Sequence, residues 1–263
     1  MDRKTTFHRY FVRISYLGEN FYGWQKEREE DPTIEGSIQD ALETILRFPC
    51  PIIGCGRTDA GVHAKNYIFH FDSEAEVDLI IKKNLNGILD DRIVVHDIRE
   101  VQPDSHARFS AISRQYEYRL LAERNPFLRS TTFVLNEFNK LDLSLLHKSA
   151  EIIKNYEDFT TFCKSDTDVA TKLCQIHESQ WLEKEGELIY RIQANRFLRG
   201  MVRLIVGMCL SVALGKIELD EVEQALKSKQ ILSKNWSVPA HGLMLKNIEY
   251  EKNIYLTTKE YNG

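Results

Sequence analysis

The segment CGRTDAGVHAK, residues 55–65, holds a single carboxylate, Asp59, between Arg57 and Gly61. Two glycines disfavour a helix in this segment and its polarity disfavours a core strand, so the segment predicts a loop. The apolar runs on either side, PIIGC (51–55) and NYIFHFD (66–72), both predict strands. We therefore expect the loop that carries Asp59 to connect two elements of a sheet.

Three roles are open for Asp59. It could be a turn residue that caps its own backbone next to Gly61, as many loop aspartates do. It could be a metal ligand with His63, but the intervening glycine disfavours one helical face and no second carboxylate or histidine is near. It could also be a catalytic group, held ionised and oriented by Arg57 or by an arginine from elsewhere in the chain.

The isolation of this carboxylate limits the chemistry it could perform. Hydrolysis of glycosidic bonds normally uses two carboxylates, and phosphoryl transfer uses a metal ion and a phosphate-binding loop. Neither set is visible in the sequence. Nucleophilic or base chemistry by one ionised aspartate remains.

Alternation and helical spacing outside this loop predict strands and helices in both halves of the chain. In the first half, Thr33 is a plausible N-cap for an amphipathic helix that ends before Pro49. The other predicted elements there are strands at 7–16, 92–101 and 107–121 and a helix at 78–88. The second half has predicted helices at 142–155, 196–214 and 218–228 and predicted strands at 172–183, 187–195, 243–250 and 253–258.

Strands and helices do not alternate strictly enough for a parallel sheet. We therefore predict an α+β fold of two α/β halves, 1–103 and 104–263. Their mixed, largely antiparallel sheets are expected to abut into one extended sheet, with helices packed on one side and a catalytic cleft between the halves.

Composition indicates a globular protein. The chain has 263 residues, and 43% of them are apolar, enough for a substantial core. Five cysteines without a CxxC pair suggest neither a disulfide framework nor a zinc site, so we expect reduced thiols, mostly in the core. No apolar run reaches the roughly 18 to 20 residues of a membrane span, so we expect no membrane association and a cytoplasmic location.

The net charge of −4 argues mildly against a nucleic-acid partner, but the charge is unevenly distributed. Basic residues without acids occur at 3–13, 191–203 and 225–236, whereas acids collect at 26–31 and 218–223. In the helix predicted at 196–214, Arg196, Arg199 and Arg203 would form one stripe opposite an apolar face. Such a stripe can be an ordinary solvated face or can bind phosphate.

The segment GRTDAGVHA (56–64) resembles the signature of the TruA family of tRNA pseudouridine synthases. Further segments resemble other blocks of that family and occur in the same order. Tyr116 and Tyr118 follow the one at 106–111. These segments are YLGENFYGWQ (16–25), HARFSA (106–111), DFTTF (158–162), RFLRGMVRLIVG (196–207) and PAHGL (239–243).

This resemblance implies isomerisation of uridine to pseudouridine at positions 38, 39 and 40 of the tRNA anticodon arm. It also implies that the enzyme uses no metal and no organic cofactor, and that a homodimer grips one tRNA across two subunits. The acidic loop at 26–31 leaves the exact set of target uridines open.

The resemblance also implies roles for individual residues. Asp59 is the essential carboxylate, Tyr116 stacks on the target base and can assist loss of the C5 proton, and Arg203 pairs with Asp59. Tyr118 is expected only to pack. The catalytic candidates thus divide between the predicted half 1–103, with Asp59, and the half 104–263. The expected substrate- or RNA-binding residues are Arg57, Thr58, His63, Arg108, Arg196, Arg199 and Leu243, of which Leu243 walls the pocket.

Two other readings stay open. A tRNA-binding or chaperone protein of the same fold could have lost catalysis, although Asp59, Tyr116 and Arg203 are all present. An unrelated enzyme could match the signature by chance. Salt-dependent binding of tRNA would separate that last reading from the other two.

Overall fold

The computed structural model describes residues 7–28, 30–78, 80–163, 171–184, 186–232 and 236–256. Within these ranges the chain has the predicted mixed α/β fold, with nine strands and five α-helices; the short strand Phe133–Val134 was not predicted. Contacts group it into a first unit, Met1–Ile112 with Asn247–Gly263, and a second unit, Ser113–Lys246. Compactness alone does not show that a segment folds independently, so the domains 1–103 and 104–263 stay a prediction.

The first unit is built on an antiparallel sheet. Its central strand β1 pairs with β3 on one side and β4 on the other, and β2 adds to β3. The helix α1 has three fully buried apolar residues along one face, which matches its predicted amphipathic pattern. The elements are β1 His8–Tyr16, α1 Ile34–Leu46, β2 Ile53–Gly54, β3 His63–Ser73, α2 Ile81–Ile88 and β4 Ile93–Val101.

The helix α1 begins and ends where the sequence predicts. The Thr33 side chain accepts a hydrogen bond from the Gly36 N–H at 3.1 Å and so caps the first turn. At the other end Arg47 adopts a left-handed conformation with φ 61°, just before Pro49. The Thr33 cap fixes the start of the helix, and the left-handed Arg47 fixes where the chain leaves it toward β2.

The second unit combines strands with three helices. Its strand β8 pairs antiparallel with β5 and β7, and β6 pairs parallel with β5. The helix α4 is almost wholly buried and packs against α3. The elements are β5 Ala111–Leu121, β6 Phe133–Val134, α3 Leu143–Ile152, β7 Ile176–Lys184, β8 Glu187–Ala194, α4 Met201–Ala213, α5 Leu219–Ser228 and β9 Leu243–Tyr250, which ends in the first unit.

The prediction that α4 starts at residue 196 is wrong. Gly200 has φ 71° and occupies the N-cap position, so the helix begins at Met201. A turn closed by the Met201 N–H on the Leu198 carbonyl precedes it at 3.2 Å. Arg196 and Arg199 therefore lie before the helix, and the predicted arginine stripe does not form.

Three strand boundaries also differ from prediction. The strand β3 starts at His63 instead of residue 66, because Tyr16 of β1 pairs with Ala64. The strand β5 starts at Ala111 because residues 106–110 form a turn. In the predicted strand 253–258, Lys252–Ile254 is a 3-10 turn, and only an isolated bridge between Val101 and Tyr255 follows. Positions 257 and 258 lie outside the described residues.

All five cysteines are free and buried, as expected. Burial raises the pKa of Cys50 to about 12 and the pKa values of Cys174 and Cys209 to about 11 each. These thiols are therefore protonated at neutral pH and act as small apolar groups. Among the described residues, no helix is both long and apolar enough to cross a membrane.

Candidate active-site residues

The loop that carries Asp59 is held in place by the turn that follows β1. Its backbone receives a hydrogen bond from the Trp24 N–H to the Thr58 carbonyl at 3.1 Å. The Gly18 N–H donates to Nδ1 of His63 at 2.9 Å, at the point where the loop enters β3. Two segments about 40 residues apart are thus joined at both ends of the signature, which fixes the backbone on either side of Asp59.

Glycines make this close approach possible. A Cβ atom on Gly18 would lie 2.2 Å from the Val62 carbonyl oxygen, and one on Gly23 would lie 2.5 Å from the Thr58 carbonyl oxygen. Gly23 also has φ 90°, a conformation that L side chains rarely adopt. The obstructing atoms belong to the backbone, so a side chain at either position would displace the loop itself.

Buried aromatic side chains support the loop from below. The Tyr16 hydroxyl and the Thr58 hydroxyl are hydrogen-bonded at 2.8 Å. Trp24 stacks on Tyr67 with ring centroids 4.0 Å apart, and the Tyr67 hydroxyl donates to the Gly56 carbonyl at 2.5 Å. Aromatic pairs of this kind add about 0.5–1.5 kcal/mol beyond the burial of their surface, so the support is rigid.

Asp59 lies in a tight turn within this frame. The Val62 N–H donates to the Asp59 carbonyl at 3.1 Å, and Gly61 between them has φ 78°. Asp59 is half-buried, its neighbour Thr58 is buried, and Arg57 is exposed. The arrangement holds one carboxylate at a defined position at the protein surface, as a nucleophile or base requires.

In the second unit, the two tyrosines of β5 have different surroundings. Tyr118 is fully buried, as predicted, and its hydroxyl donates to the Pro239 carbonyl at 2.9 Å. Burial raises its pKa well above the usual range, so it stays neutral. Tyr116 is half-buried and meets the Phe197 ring edge to face at 5.2 Å. Only Tyr116 has ring surface left to offer a ligand.

Arg203 lies in the first turn of α4 and is tied to the segment that precedes β9. Its Nε donates to the Val238 carbonyl at 2.7 Å, and this bond orients the half-buried guanidinium group. Leu243, the first residue of β9, is buried. Gly242 directly precedes Leu243, and a Cβ atom on it would lie 2.6 Å from the Tyr118 ring. Packing of this segment against β5 and α4 therefore explains the PAHGL block.

The remaining candidates fall into two groups. Arg57, Arg108 and Arg199 are exposed, and Arg196 is half-buried, so their guanidinium groups can meet solvent. The side chains of Thr58, within the loop, and of His63, at its end, are buried. Gly18 and Trp24, whose N–H groups brace this loop, had no predicted role. The signal was the pair of glycines in YLGENFYGWQ, whose positions need close backbone approach.

A buried histidine holds a second surface turn. His70 of β3 is 2% exposed, and its Nδ1 accepts a hydrogen bond from the Ala107 N–H at 3.2 Å. Burial first, then the positive charge of Arg9 and then the proximity of His106 lower the pKa of His70 to about 4, while Asp72 acts in the opposite direction. His70 is therefore neutral at physiological pH, which its acceptor role requires.

This pKa predicts a loss of stability in mild acid. As the pH falls from 6.5 to about 4, His70 takes up a proton in the unfolded chain but not in the folded one. Protonation of this group should lower the free energy of unfolding by at most about 3 kcal/mol across that window. Above pH 6.5 His70 should no longer make stability depend on pH. His70→Asn keeps an acceptor but cannot titrate. Urea unfolding between pH 4.5 and 7.5 should give a flatter profile for the variant, and parallel profiles would contradict the assignment.

Comparison with known proteins identifies the class of enzyme. A family profile described as tRNA pseudouridine synthase matches residues 156–251. The chain is 39% identical to tRNA pseudouridine synthase A of Azobacteroides pseudotrichonymphae, over 94% of this chain and 99% of the relative. For tRNA pseudouridine synthase A of Parabacteroides distasonis the identity is 38%, over 94% and 98%. For tRNA pseudouridine synthase A 2 of Bacillus cereus it is 33%, over 92% and 100%.

The chain therefore belongs to the tRNA pseudouridine synthase A family and is an isomerase. The relatives match nearly its whole length, so both units fall within the similarity. The resemblance first seen in residues 56–64 is confirmed for the chain as a whole.

Proposed function

We propose that this protein isomerises uridine to pseudouridine at positions 38, 39 and 40 in the anticodon arm of tRNA, with Asp59 as the essential catalytic group. The observation that carries the proposal is the braced loop, in which Asp59 is the one carboxylate of the signature GRTDAGVHA. We further propose that the enzyme acts as a cytoplasmic homodimer. Membership of the tRNA pseudouridine synthase A family supports the reaction type.

The reaction needs few groups. The bond between N1 of the uracil and C1′ of the ribose breaks, the base turns, and a bond forms between C5 and C1′. The proton on C5 leaves and N1 gains one, so atoms and charge balance without an oxidant or reductant. The target nucleotide must leave its stack before these steps, so the enzyme needs a pocket for a flipped base.

In this scheme Asp59 acts first, by attack on either C1′ or the base. Both routes need a carboxylate whose position is set before the substrate arrives, because misplacement by about 1 Å can cost a hundredfold in rate. The hydrogen bonds of Gly18 and Trp24 to the loop supply that constraint. Thr58 and His63 serve as positioning residues, since both side chains are buried and each is hydrogen-bonded to the segment 16–18.

Groups of the second unit complete the proposed chemistry. Tyr116 would stack on the target uracil and assist removal of the C5 proton, for which its partly accessible ring is suited. Arg203 would pair with the Asp59 carboxylate and hold it ionised. Leu243 would wall the pocket beside the base.

Arginines whose guanidinium groups can meet solvent would bind the RNA backbone. The chain carries a net charge of −4, so tRNA affinity has to come from local groups and not from overall charge. Arg57 would contact RNA or brace the flipped nucleotide. Arg108, Arg196 and Arg199 would contact phosphates.

Release of tritium from tRNA labelled at uridine C5 tests the proposal. The purified protein should release tritium, and mapping of the product should find pseudouridine at positions 38 to 40. Release without pseudouridine in the anticodon arm would overturn the proposed target. Binding of tRNA without any release would favour the catalytically silent tRNA-binding protein instead. Sedimentation of the free enzyme at assay concentration tests the homodimer.

Charge reversal at Arg199 should weaken tRNA binding before it affects chemistry. Arg199 is exposed in the turn before α4, so Arg199→Glu removes one phosphate contact and adds repulsion. We expect about a tenfold loss of affinity and a salt dependence shallower by roughly one released counterion. Titration of tRNA at several salt concentrations measures both. The exposed Lys83 in α2 offers a control, and an equal effect of Lys83→Glu would show that Arg199 has no specific role.

A further inference from the structure

The turn formed by residues 106–110 presents an aromatic side chain to solvent. Phe109 is 76% exposed, whereas its neighbour Ala107, two residues earlier, is fully buried. Single exposed apolar residues are ordinary on protein surfaces and need no explanation by themselves. Phe109 differs because the turn beneath it is held by an unusual number of hydrogen bonds.

These bonds fix the turn on every side. The Nδ1 atom of His106 accepts from the N–H groups of Arg108 and Phe109, at 3.1 and 3.3 Å. The Ser110 hydroxyl accepts from the His106 N–H at 2.8 Å. Ala107 is clamped from below, because its N–H donates to His70 and its carbonyl accepts from the Tyr250 hydroxyl at 2.6 Å. The backbone under Phe109 is therefore ordered before any ligand arrives.

The chemistry around the ring suits a nucleic acid. The Arg108 guanidinium carbon lies 5.6 Å from the centre of the Phe109 ring, and the His106 ring lies 4.4 Å from it. Burial, together with the charges of Arg9 and Arg108, lowers the pKa of His106, so the histidine is neutral and the positive charge beside the ring comes from arginine. An accessible ring beside a guanidinium group offers a stacking surface and a phosphate partner together.

We propose that Phe109 is a stacking platform for one unpaired nucleobase of the tRNA, with the Arg108 guanidinium against a phosphate. This inference rests on the proposed function and adds a specific contact to it. Because the turn is ordered in advance, stacking costs little conformational entropy, and the full stacking energy appears as affinity. The contact concerns binding of the RNA and not the bond changes at the target uridine.

Substitutions of Phe109, with a control at Phe48, test it. Phe109→Leu keeps an apolar side chain but removes the ring, and Phe109→Trp enlarges the stacking surface. Phe48→Leu applies the same change to a phenylalanine that is 37% exposed after α1, outside the proposed site. The measurements are the dissociation constant for tRNA over a range of salt and the rate of tritium release in a single turnover at saturating enzyme.

We expect Phe109→Leu to weaken tRNA binding about tenfold, which corresponds to the stacking of one base. The salt dependence should not change, because no charge is lost, and neither should the single-turnover rate at saturation. Phe109→Trp and Phe48→Leu should bind at least as tightly as the wild type. Arg108→Gln should instead make the salt dependence shallower by about one counterion.

Wild-type affinity in Phe109→Leu would overturn the stacking proposal, and so would an equal loss in Phe109→Trp, because the larger ring should stack well. A lower melting temperature of Phe109→Leu with an equal loss of affinity in Phe48→Leu would also overturn it. Failure of the proposed function looks different, since the wild type itself would then release no tritium.

Discussion

The Asp59→Asn protein should bind tRNA with affinity within about threefold of the wild type and release no measurable tritium from it. Asparagine matches the shape of aspartate, so the loop braced by Gly18 and Trp24 should keep its conformation. What is lost is the negative charge. We expect turnover to fall by at least about 10⁴-fold, because removal of a nucleophile costs more than removal of a general base alone.

A carboxylate elsewhere in the same unit provides the control. Asp97 forms a surface ion pair with Arg99 at 2.6 Å, and such pairs contribute little to stability. Asp97→Asn should retain wild-type turnover in the same tritium assay. Full activity of Asp59→Asn would end the proposed mechanism and leave Asp59 as a turn residue.

The Gly18→Ala protein should lose both activity and stability. The new methyl group would lie 2.2 Å from the Val62 carbonyl oxygen and 2.8 Å from its carbon, so the loop has to move. Such overpacking costs about 1–3 kcal/mol of unfolding free energy. Movement of Asp59 by about 1 Å should reduce the rate of tritium release about a hundredfold. Urea unfolding and the tritium assay measure the two effects.

Gly87 in α2 is the matched control, because a Cβ atom there meets nothing within 4 Å. Gly87→Ala should keep full activity and gain up to about 1 kcal/mol of stability from helix propensity. If Gly18→Ala behaved like Gly87→Ala, the turn after β1 would have no part in positioning the loop.

The sequence was most informative where local chemistry decides the structure. The helix α1 begins after Thr33 because the threonine hydroxyl caps it, and it ends shortly before Pro49. Both signals are local in the sequence. The start of α4 was missed because the apolar spacing continues upstream through Leu198, which is buried in the turn before the helix. The left-handed conformation of Gly200 keeps the helix from starting before Met201, and a glycine in the sequence alone does not reveal which conformation it adopts.

The candidate site shows the same division. Asp59 stands out in the sequence because it is the only carboxylate in a polar loop. The bracing of that loop by Gly18 and His63 depends on contacts between residues about 45 positions apart, which no local pattern encodes. The RNA-binding role of His63 stays a prediction, and what the sequence did not reveal is that this side chain is buried and accepts the Gly18 N–H.

The five buried thiols can report where the protein unfolds. Cys50 and Cys55 lie in the first unit, and Cys163, Cys174 and Cys209 lie in the second. A thiol that is buried and protonated reacts with an alkylating reagent only when its surroundings open. Pulsed alkylation in increasing urea, followed by mass spectrometry of the peptides, therefore gives the urea concentration at which each unit opens. Coincident labelling would mean that the two units unfold as one cooperative body, and staggered labelling would mean that one of them can remain folded without the other.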